Sequence, residues 1–184
     1  MDLAALLAVP VSLTFHEWEE NESKSPLVPI AMLDAVRRHA SNMTVVAETG
    51  RIGVPASEQK LFPLLETAIR TVTVEGGTFH PKVWLFRYEA LEHDDPEIRY
   101  RMICSSRNLT FSRAWDAAVV LDARLSTKAG YSSDPGLDQF VTGVADLIQK
   151  GSDPLDAVRT EKLRLTAKEC RRLEFDLPAN IDAV

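Results

Sequence analysis

Three apolar runs in the middle of the chain most constrain what it can fold into. They cover residues 79–89, 98–106 and 116–124, and β-branched or aromatic residues recur in each. Such runs favour strands, and the hydrophilic segment EHDDPE between the first two predicts a turn. The apolar face of a sheet must be covered by another layer, either helices or a second sheet, so the flanking segments decide the fold class.

Apolar residues at helical spacing lie on both sides of this block of strands. Helices are predicted over residues 28–40, 58–69 (with Ser57 as its cap), 135–150 and 166–174. Further strands are predicted over residues 11–15, 43–48 and 71–75. Strands that alternate with helices predict an α/β fold, with a mixed β-sheet sandwiched between helices.

The length of 184 residues is enough for one α/β domain with a sizeable core and is short for two. We predict one domain over residues 1–150, followed by a C-terminal helix and strand over residues 151–184. The segment LEFDLP near the end has the pattern of an apolar strand that begins a further structure. We therefore interpret this tail as the start of a missing second half, or the chain as cut from a longer one.

Composition and charge exclude several classes of protein. No apolar run approaches the roughly 20 residues that span a bilayer, and the apolar N-terminus lacks the basic residues of a signal peptide. Cys104 and Cys170 have neither metal-ligand nor disulfide-framework spacing, which is typical of cytoplasmic proteins. The net charge of −6 argues against broad nonspecific nucleic-acid binding, although a local basic cleft is compatible with it.

His80 and Lys82 are the polar residues of the first apolar run that need an explanation. Alternate residues of a strand share a face, which predicts that both side chains lie on the face of Trp84 and Phe86. Pro81 has no N–H for a ladder hydrogen bond, so we predict that the pair lies at a strand end, where a pocket can open. A lone histidine on such a strand is nevertheless more often a hydrogen-bonded core residue than a catalytic group.

The second run ends in SSRNLT, a cluster of short hydroxyl and amide side chains. Pairing of the two runs as a hairpin predicts that Ser106 and Asn108 come near His80 and Lys82. A nucleophile, a cation and two neutral donors on one spot are the groups that a phosphate ester requires. Taken alone, Asn108 is more typical of a turn or a helix cap.

FHPK at residues 79–82, followed by SSRNLT at residues 105–110, resembles the motif of the phospholipase D superfamily. That motif is HxK and then a turn of small residues that ends in asparagine. FHPKVWLF with SRNLTFSRAWD is similar in particular to the phospholipase D-like nucleases and helicase-associated proteins of bacterial defence and restriction systems. The motif core covers residues 79–122, and the order of strands and helices fits over roughly residues 1–150. The resemblance implies a phospholipase D-like domain, of which this chain holds one half.

The resemblance also implies a phosphodiesterase that needs neither a metal nor a cofactor. His80 forms a phosphohistidine, while Lys82 and Asn108 stabilise the nonbridging oxygens of the phosphate. Asp116 in AWDAAV, or Asp122 as the alternative, orients the His80 ring. Further substrate contacts are expected from Ser105, Ser106, Arg107 and Arg113, with Arg99 and Arg101 on the same basic rim, although most surface arginines belong simply to a solvated face.

The sequence departs from this motif in two respects. The lipase-type motif continues as HxKxxxxD, and Arg87 stands where its aspartate would be. The glycine that usually precedes the serine is Cys104 or Ser105 here. The two-step reaction also needs a second histidine to protonate the leaving oxygen. The remaining histidines, none of which lies in an HxK context, are His16, His39 and His93.

The expected partners follow from this missing histidine. A homodimer, or a second phospholipase D-like half, would supply it. The expected substrate is nucleic acid, DNA rather than RNA, other defence-system subunits are possible partners, and no membrane is expected. The alternative function is a noncatalytic nucleic-acid-binding or scaffolding module of a defence complex. A metal site at His80 is disfavoured, because the ammonium group of Lys82 would repel the ion.

Overall fold

The computed structural model describes residues 1–19, 29–56, 60–89, 97–128 and 136–177. Two compact units make up the chain, and each is assembled from several segments. Unit 1 comprises Met1–His80, Leu109–Arg113 and Lys150–Pro154. Unit 2 comprises Pro81–Asn108, Ala114–Gln149 and Leu155–Val184. Residues 155–177, which we assigned to a tail beyond the main domain, are therefore in the same unit as the central strands.

Unit 1 contains helices and a pair of parallel strands. Its elements are α1 (Leu3–Glu19), α2 (Pro29–Ser41), β1 (Val45–Glu48), α3 (Pro63–Glu66) and β2 (Ile69–Val72). Strands β1 and β2 pair in parallel from Val45 opposite Ile69 to Glu48 opposite Val72. The predictions of α2 and β1 are confirmed. The helix predicted over residues 58–69 is a single turn with a proline at its start, and Ser57, its predicted cap, lies outside the described residues.

The strand predicted over residues 11–15 is wrong, because these residues belong to α1. Leu6, Pro10 and Thr14 are fully buried and lie four residues apart, which places them on one face of the helix. Pro10 has no N–H to donate within the helix. The hydroxyl group of Thr14 donates to the Pro10 carbonyl oxygen at 2.8 Å. Burial of this stripe stabilises the helix against the β-branched composition of VSLTF.

Unit 2 contains an antiparallel sheet and two helices. Its elements are β3 (Val83–Glu89), β4 (Ile98–Ser105), β5 (Ala118–Leu125), α4 (Leu137–Lys150, of which only Lys150 is assigned to unit 1), α5 (Ala157–Cys170) and β6 (Leu173–Phe175). The strand order is β3-β4-β5-β6. The predicted α/β class is confirmed, but the described strands form a parallel pair and a separate antiparallel sheet instead of one mixed sheet. None of the described helices is long and apolar enough to cross a membrane.

The two faces of this four-stranded sheet differ in character. Tyr100, Ala123 and Leu173 are buried in the core of unit 2, where residues of α4 and α5 such as Val141 and Cys170 join them. Their neighbours on the strands point to the opposite face, because side chains alternate along a strand. That opposite face carries the aromatic residues of β3 and the arginines of β4.

Candidate functional site

His80 and Lys82 precede β3, the first strand of unit 2. Lys82 belongs to that unit, and His80 belongs to unit 1. Strand β3 begins at Val83, so the prediction that one long strand starts at residue 79 is wrong. The turn before them includes Gly76, whose positive φ of 69° favours glycine. The face shared by His80 and Lys82 therefore does not follow from strand alternation. His80 is exposed and Lys82 is half-buried.

The β3–β4 hairpin has its open end at Lys82, since the chain connects the two strands at the other end, between Glu89 and Ile98. Its last paired residues are Val83 and Cys104, and beyond them the Ser105 N–H donates to the Lys82 carbonyl oxygen at 3.0 Å. Lys82 and the segment that begins at Ser105 therefore lie at the same end of the hairpin. His80 is two residues from Lys82 along the chain, which limits the distance between their Cα atoms to about 7 Å.

Ser106 and Asp116 are hydrogen-bonded to each other. The Ser106 hydroxyl donates to Asp116 Oδ1 at 2.6 Å, and the Ser106 N–H approaches the same oxygen at 3.2 Å. The Ala117 N–H donates to Ser106 Oγ at 3.1 Å, and the Ser106 N–H also donates to the Ala117 carbonyl at 2.8 Å. These bonds join the end of β4 to the start of β5, so Ser106 and Asp116 hold the ends of the intervening loop together.

Arg107 is tied into the same loop. Its Nη1 donates to the Ala114 carbonyl oxygen at 2.6 Å, and the Ser105 hydroxyl donates to the Arg107 carbonyl at 3.1 Å. Asn108, which follows, is exposed, as is Arg113, a residue of unit 1. Of the predicted site residues, the structure thus groups six in unit 2. These are Lys82, Ser105, Ser106, Arg107, Asn108 and Asp116.

Arg87, which stands at the place of the motif aspartate, is half-buried on the helix-covered face of the sheet in unit 2. Its Nε and Nη2 donate to the two carboxylate oxygens of Glu169 at 2.8 and 3.1 Å, and its Nη1 donates to Glu89 at 2.6 Å. The Tyr100 hydroxyl also donates to Glu169. Arg87 lies five residues beyond Lys82, about 16 Å along the strand. Arg87 therefore links β3 to α5 within unit 2. The sequence carried no local signal for this partner, which is 82 residues away.

Asp122 of β5, the alternative acid for His80, is hydrogen-bonded to Arg101 of β4. Its two carboxylate oxygens accept from Nε and Nη2 of Arg101 at 2.7 and 2.9 Å. The hydrogen bond from Arg101 lowers the pKa of Asp122. Asp122 lies in the middle of β5 opposite Arg101, and its assignment as an acid for His80 stays a prediction.

The chain matches no family model, no curated protein and no solved structure in three separate comparisons. What the structure itself defines is an α/β protein with polar side chains gathered at the open end of its β3–β4 hairpin.

Proposed function

We propose that this chain is a cytoplasmic, metal-independent phosphodiesterase of the phospholipase D type, and that its role is that of a DNA nuclease in a bacterial defence or restriction system. The observation that carries the proposal is the hydrogen bond at the open end of the β3–β4 hairpin, where the Ser105 N–H donates to the Lys82 carbonyl oxygen. That bond keeps Lys82 beside the segment that contains Asn108. A cation and an amide donor at this point suit the nonbridging oxygens of a phosphate.

In the proposed reaction, a ring nitrogen of His80 attacks phosphorus while the bond from phosphorus to the leaving oxygen breaks. A second histidine protonates that oxygen, then removes a proton from the water that cleaves the phosphorus–nitrogen bond. Lys82 and Asn108 stabilise the negative charge that develops on the nonbridging oxygens. A second copy of the chain, or a second phospholipase D-like half, supplies the second histidine.

Ser106 and Asp116 have a structural role that is separate from the proposed catalytic role of Asp116. Their mutual hydrogen bonds support a role in shaping the loop that presents Asn108. The assignment of Asp116 as the acid that orients His80 remains a prediction. Arg107, with one N–H committed to Ala114, retains other guanidinium donors for a substrate phosphate.

The test is cleavage of DNA, both single-stranded and plasmid, and of a small phosphodiester reporter in excess EDTA. We expect turnover without added metal, and we expect His80→Ala to abolish it with little loss of stability, because His80 is exposed. Asn108→Ala should lower the rate less, by about 10²–10³-fold, because it removes one donor to the transition state. Quenching in base should preserve a phosphohistidine that quenching in acid destroys.

His39→Ala is the matched control, since His39 lies on α2 in unit 1. It should cleave like the wild type. Activity that requires added Mg²⁺ or Mn²⁺, or a fully active His80→Ala protein, would contradict the proposed mechanism.

The second candidate function is a noncatalytic module that binds nucleic acid or holds a defence complex together. The observation that favours it is the single HxK segment, which leaves the two-step reaction without its second histidine in one chain. DNA binding without turnover in any metal condition would favour this function over the first.

A further inference from the structure

A row of aromatic rings runs along β3 on the face opposite to the helices of unit 2. Trp84, Phe86 and Tyr88 occupy alternate positions and so share that face. The ring centroids are 5.9 Å apart for the first pair and 6.3 Å for the second. The interplanar angles are 9° and 22°, so neighbouring rings in the row are nearly parallel. Tyr88 is 46% exposed although it is a large aromatic residue.

Arginines stand beside these rings on the neighbouring strands. Arg101 lies opposite Phe86, and Arg99 lies opposite Tyr88. Arg124 of β5 is in turn opposite Arg99. We call this surface the ladder face. Its members are Trp84, Phe86, Tyr88, Arg99, Arg101 and Arg124, and the three arginine side chains are 69%, 47% and 64% exposed.

Each of these arginines has an acidic neighbour. Arg99 pairs with Glu97 at 2.7 Å, Arg101 with Asp122 at 2.7 Å, and Arg124 approaches Glu174 at 3.5 Å. Exposed ion pairs of this kind contribute little to stability, so a phosphate group can displace a carboxylate at small cost. The acids also keep the face from being strongly basic. Stacking on the rings must therefore supply most of the affinity, with the guanidinium groups positioning the phosphates.

We infer that the ladder face binds single-stranded nucleic acid. Aromatic rings stack on unpaired bases, whereas the bases of a duplex are already stacked on one another and are out of reach. The row begins at Trp84, two residues after Lys82, so a strand bound along it leads toward the proposed phosphodiesterase site. The inference names the substrate of that site as a single strand, and to this extent it rests on the proposed function; binding itself does not depend on catalysis.

Fluorescence anisotropy measures the binding directly. The probes are fluorescein-labelled oligothymidylate and oligouridylate long enough to cover three rings, and a DNA duplex of equal length, all in EDTA. The protein carries His80→Ala, which prevents cleavage during the titration. We expect both single strands to bind more tightly than the duplex. Phe86→Ala and Tyr88→Ala should each raise Kd by about five- to 150-fold, which is the range for the loss of one stacked base.

Phe140→Ala is the matched control, because Phe140 is an aromatic residue of α4 that is 38% exposed. Its Kd should equal that of the background protein, and circular dichroism should show that all variants are folded. Phe86→Trp should retain binding because it keeps a ring at the same place.

The inference is overturned if no oligonucleotide binds, if the duplex binds as tightly as the single strands, or if Phe86→Ala and Tyr88→Ala bind like Phe140→Ala. The two proposals fail separately. Binding that depends on the ladder, in a protein whose wild type never cleaves, would reject the nuclease and keep the ladder face. Cleavage by the wild type, together with a Kd that Phe86→Ala and Tyr88→Ala leave unchanged, would reject the ladder face and keep the nuclease.

Discussion

Glu169 joins two strands and a helix of unit 2 through one carboxylate. It is 7% exposed and accepts hydrogen bonds from Arg87 on β3 and from Tyr100 on β4. Burial raises the pKa of Glu169, but the hydrogen bonds from Arg87 and Tyr100 outweigh it, and the net effect is a lowered pKa. Burial and the hydrogen bond to Glu169 in turn raise the pKa of Tyr100. The cluster is therefore a carboxylate held ionised by two donors in a mostly apolar setting.

Replacement of Glu169 by alanine should destabilise the protein by about 2–4 kcal/mol, because it leaves the buried Tyr100 hydroxyl and the Arg87 guanidinium without their main acceptor. Urea unfolding measures the loss. Glu161→Ala on the same helix is the control, since its exposed ion pair with Arg164 at 3.9 Å should contribute under about 0.5 kcal/mol.

The pH dependence of Glu169→Gln provides a second readout. A carboxyl group whose pKa is lowered on folding stabilises the fold fully above its ordinary value of 4.5, and loses this contribution as pH falls through the folded pKa. The wild type should therefore exceed Glu169→Gln in stability at neutral pH, and the difference should shrink below about pH 4.5. Equal stability at neutral pH would show that the cluster is unimportant.

At the scale of the element, α5 has a well-formed start. Asp156 has extended backbone angles, and its carboxylate accepts from the Arg159 N–H at 2.8 Å. Its other oxygen accepts from Arg159 Nη1 at 3.1 Å. The backbone hydrogen bond from Arg159 lowers the pKa of Asp156. This helix carries Glu169 near its end, so its position affects the cluster described above.

We expect Asp156→Ala to cost about 1 kcal/mol in the free energy of unfolding, because an N–H of the first turn loses its acceptor. Asp156→Asn should lose less, since an amide oxygen can still cap the helix. Asp146→Ala, at an exposed position within α4, is the control and should not destabilise. Chemical denaturation of the three variants measures their free energies of unfolding. If Asp146→Ala lowers this free energy as much as Asp156→Ala does, the cap is not the cause.

For the whole molecule, the proposed reaction needs two histidines, one on each side of a phosphorus atom. One chain offers one HxK segment. Apolar side chains in the β4–β5 loop and at the start of β5 are unusually exposed, with Trp115 at 98% and Val120 at 52%. Exposed apolar residues of this kind are typical of association surfaces, and two-fold dimers are the commonest soluble homo-oligomers.

Light scattering should accordingly report a species of about twice the 20.5 kDa chain mass. Trp115→Glu should shift it toward the monomer and lower the cleavage rate, because a charge at the interface is costly to bury. Val158→Glu, which changes an exposed apolar residue of α5, should leave the dimer intact. A strictly monomeric chain that cleaves DNA would refute the argument from two half-sites and would return His16 to consideration.

Elements whose pattern is local could be predicted from the amino-acid sequence. Along β4, exposed Arg99 and Arg101 alternate with buried Tyr100 and half-buried Met102 as the period of a strand requires. The helical stripes of α2 and α4 were equally readable, and so was the closeness of Lys82 to the SSRNLT segment. Such patterns can be recognised in the sequence because apolar residues recur at the period of the element, whatever covers the buried face.

Contacts between residues that are distant in the sequence are seen only in the tertiary structure. VSLTF has the composition of a strand, but burial of Leu6, Pro10 and Thr14 along one face makes it part of α1. No short window shows that Arg87 pairs with Glu169 across 82 residues. Contacts of this kind depend on how whole elements pack, and packing energy outweighs local propensity, which differs by less than about 1 kcal/mol per residue for most residue types.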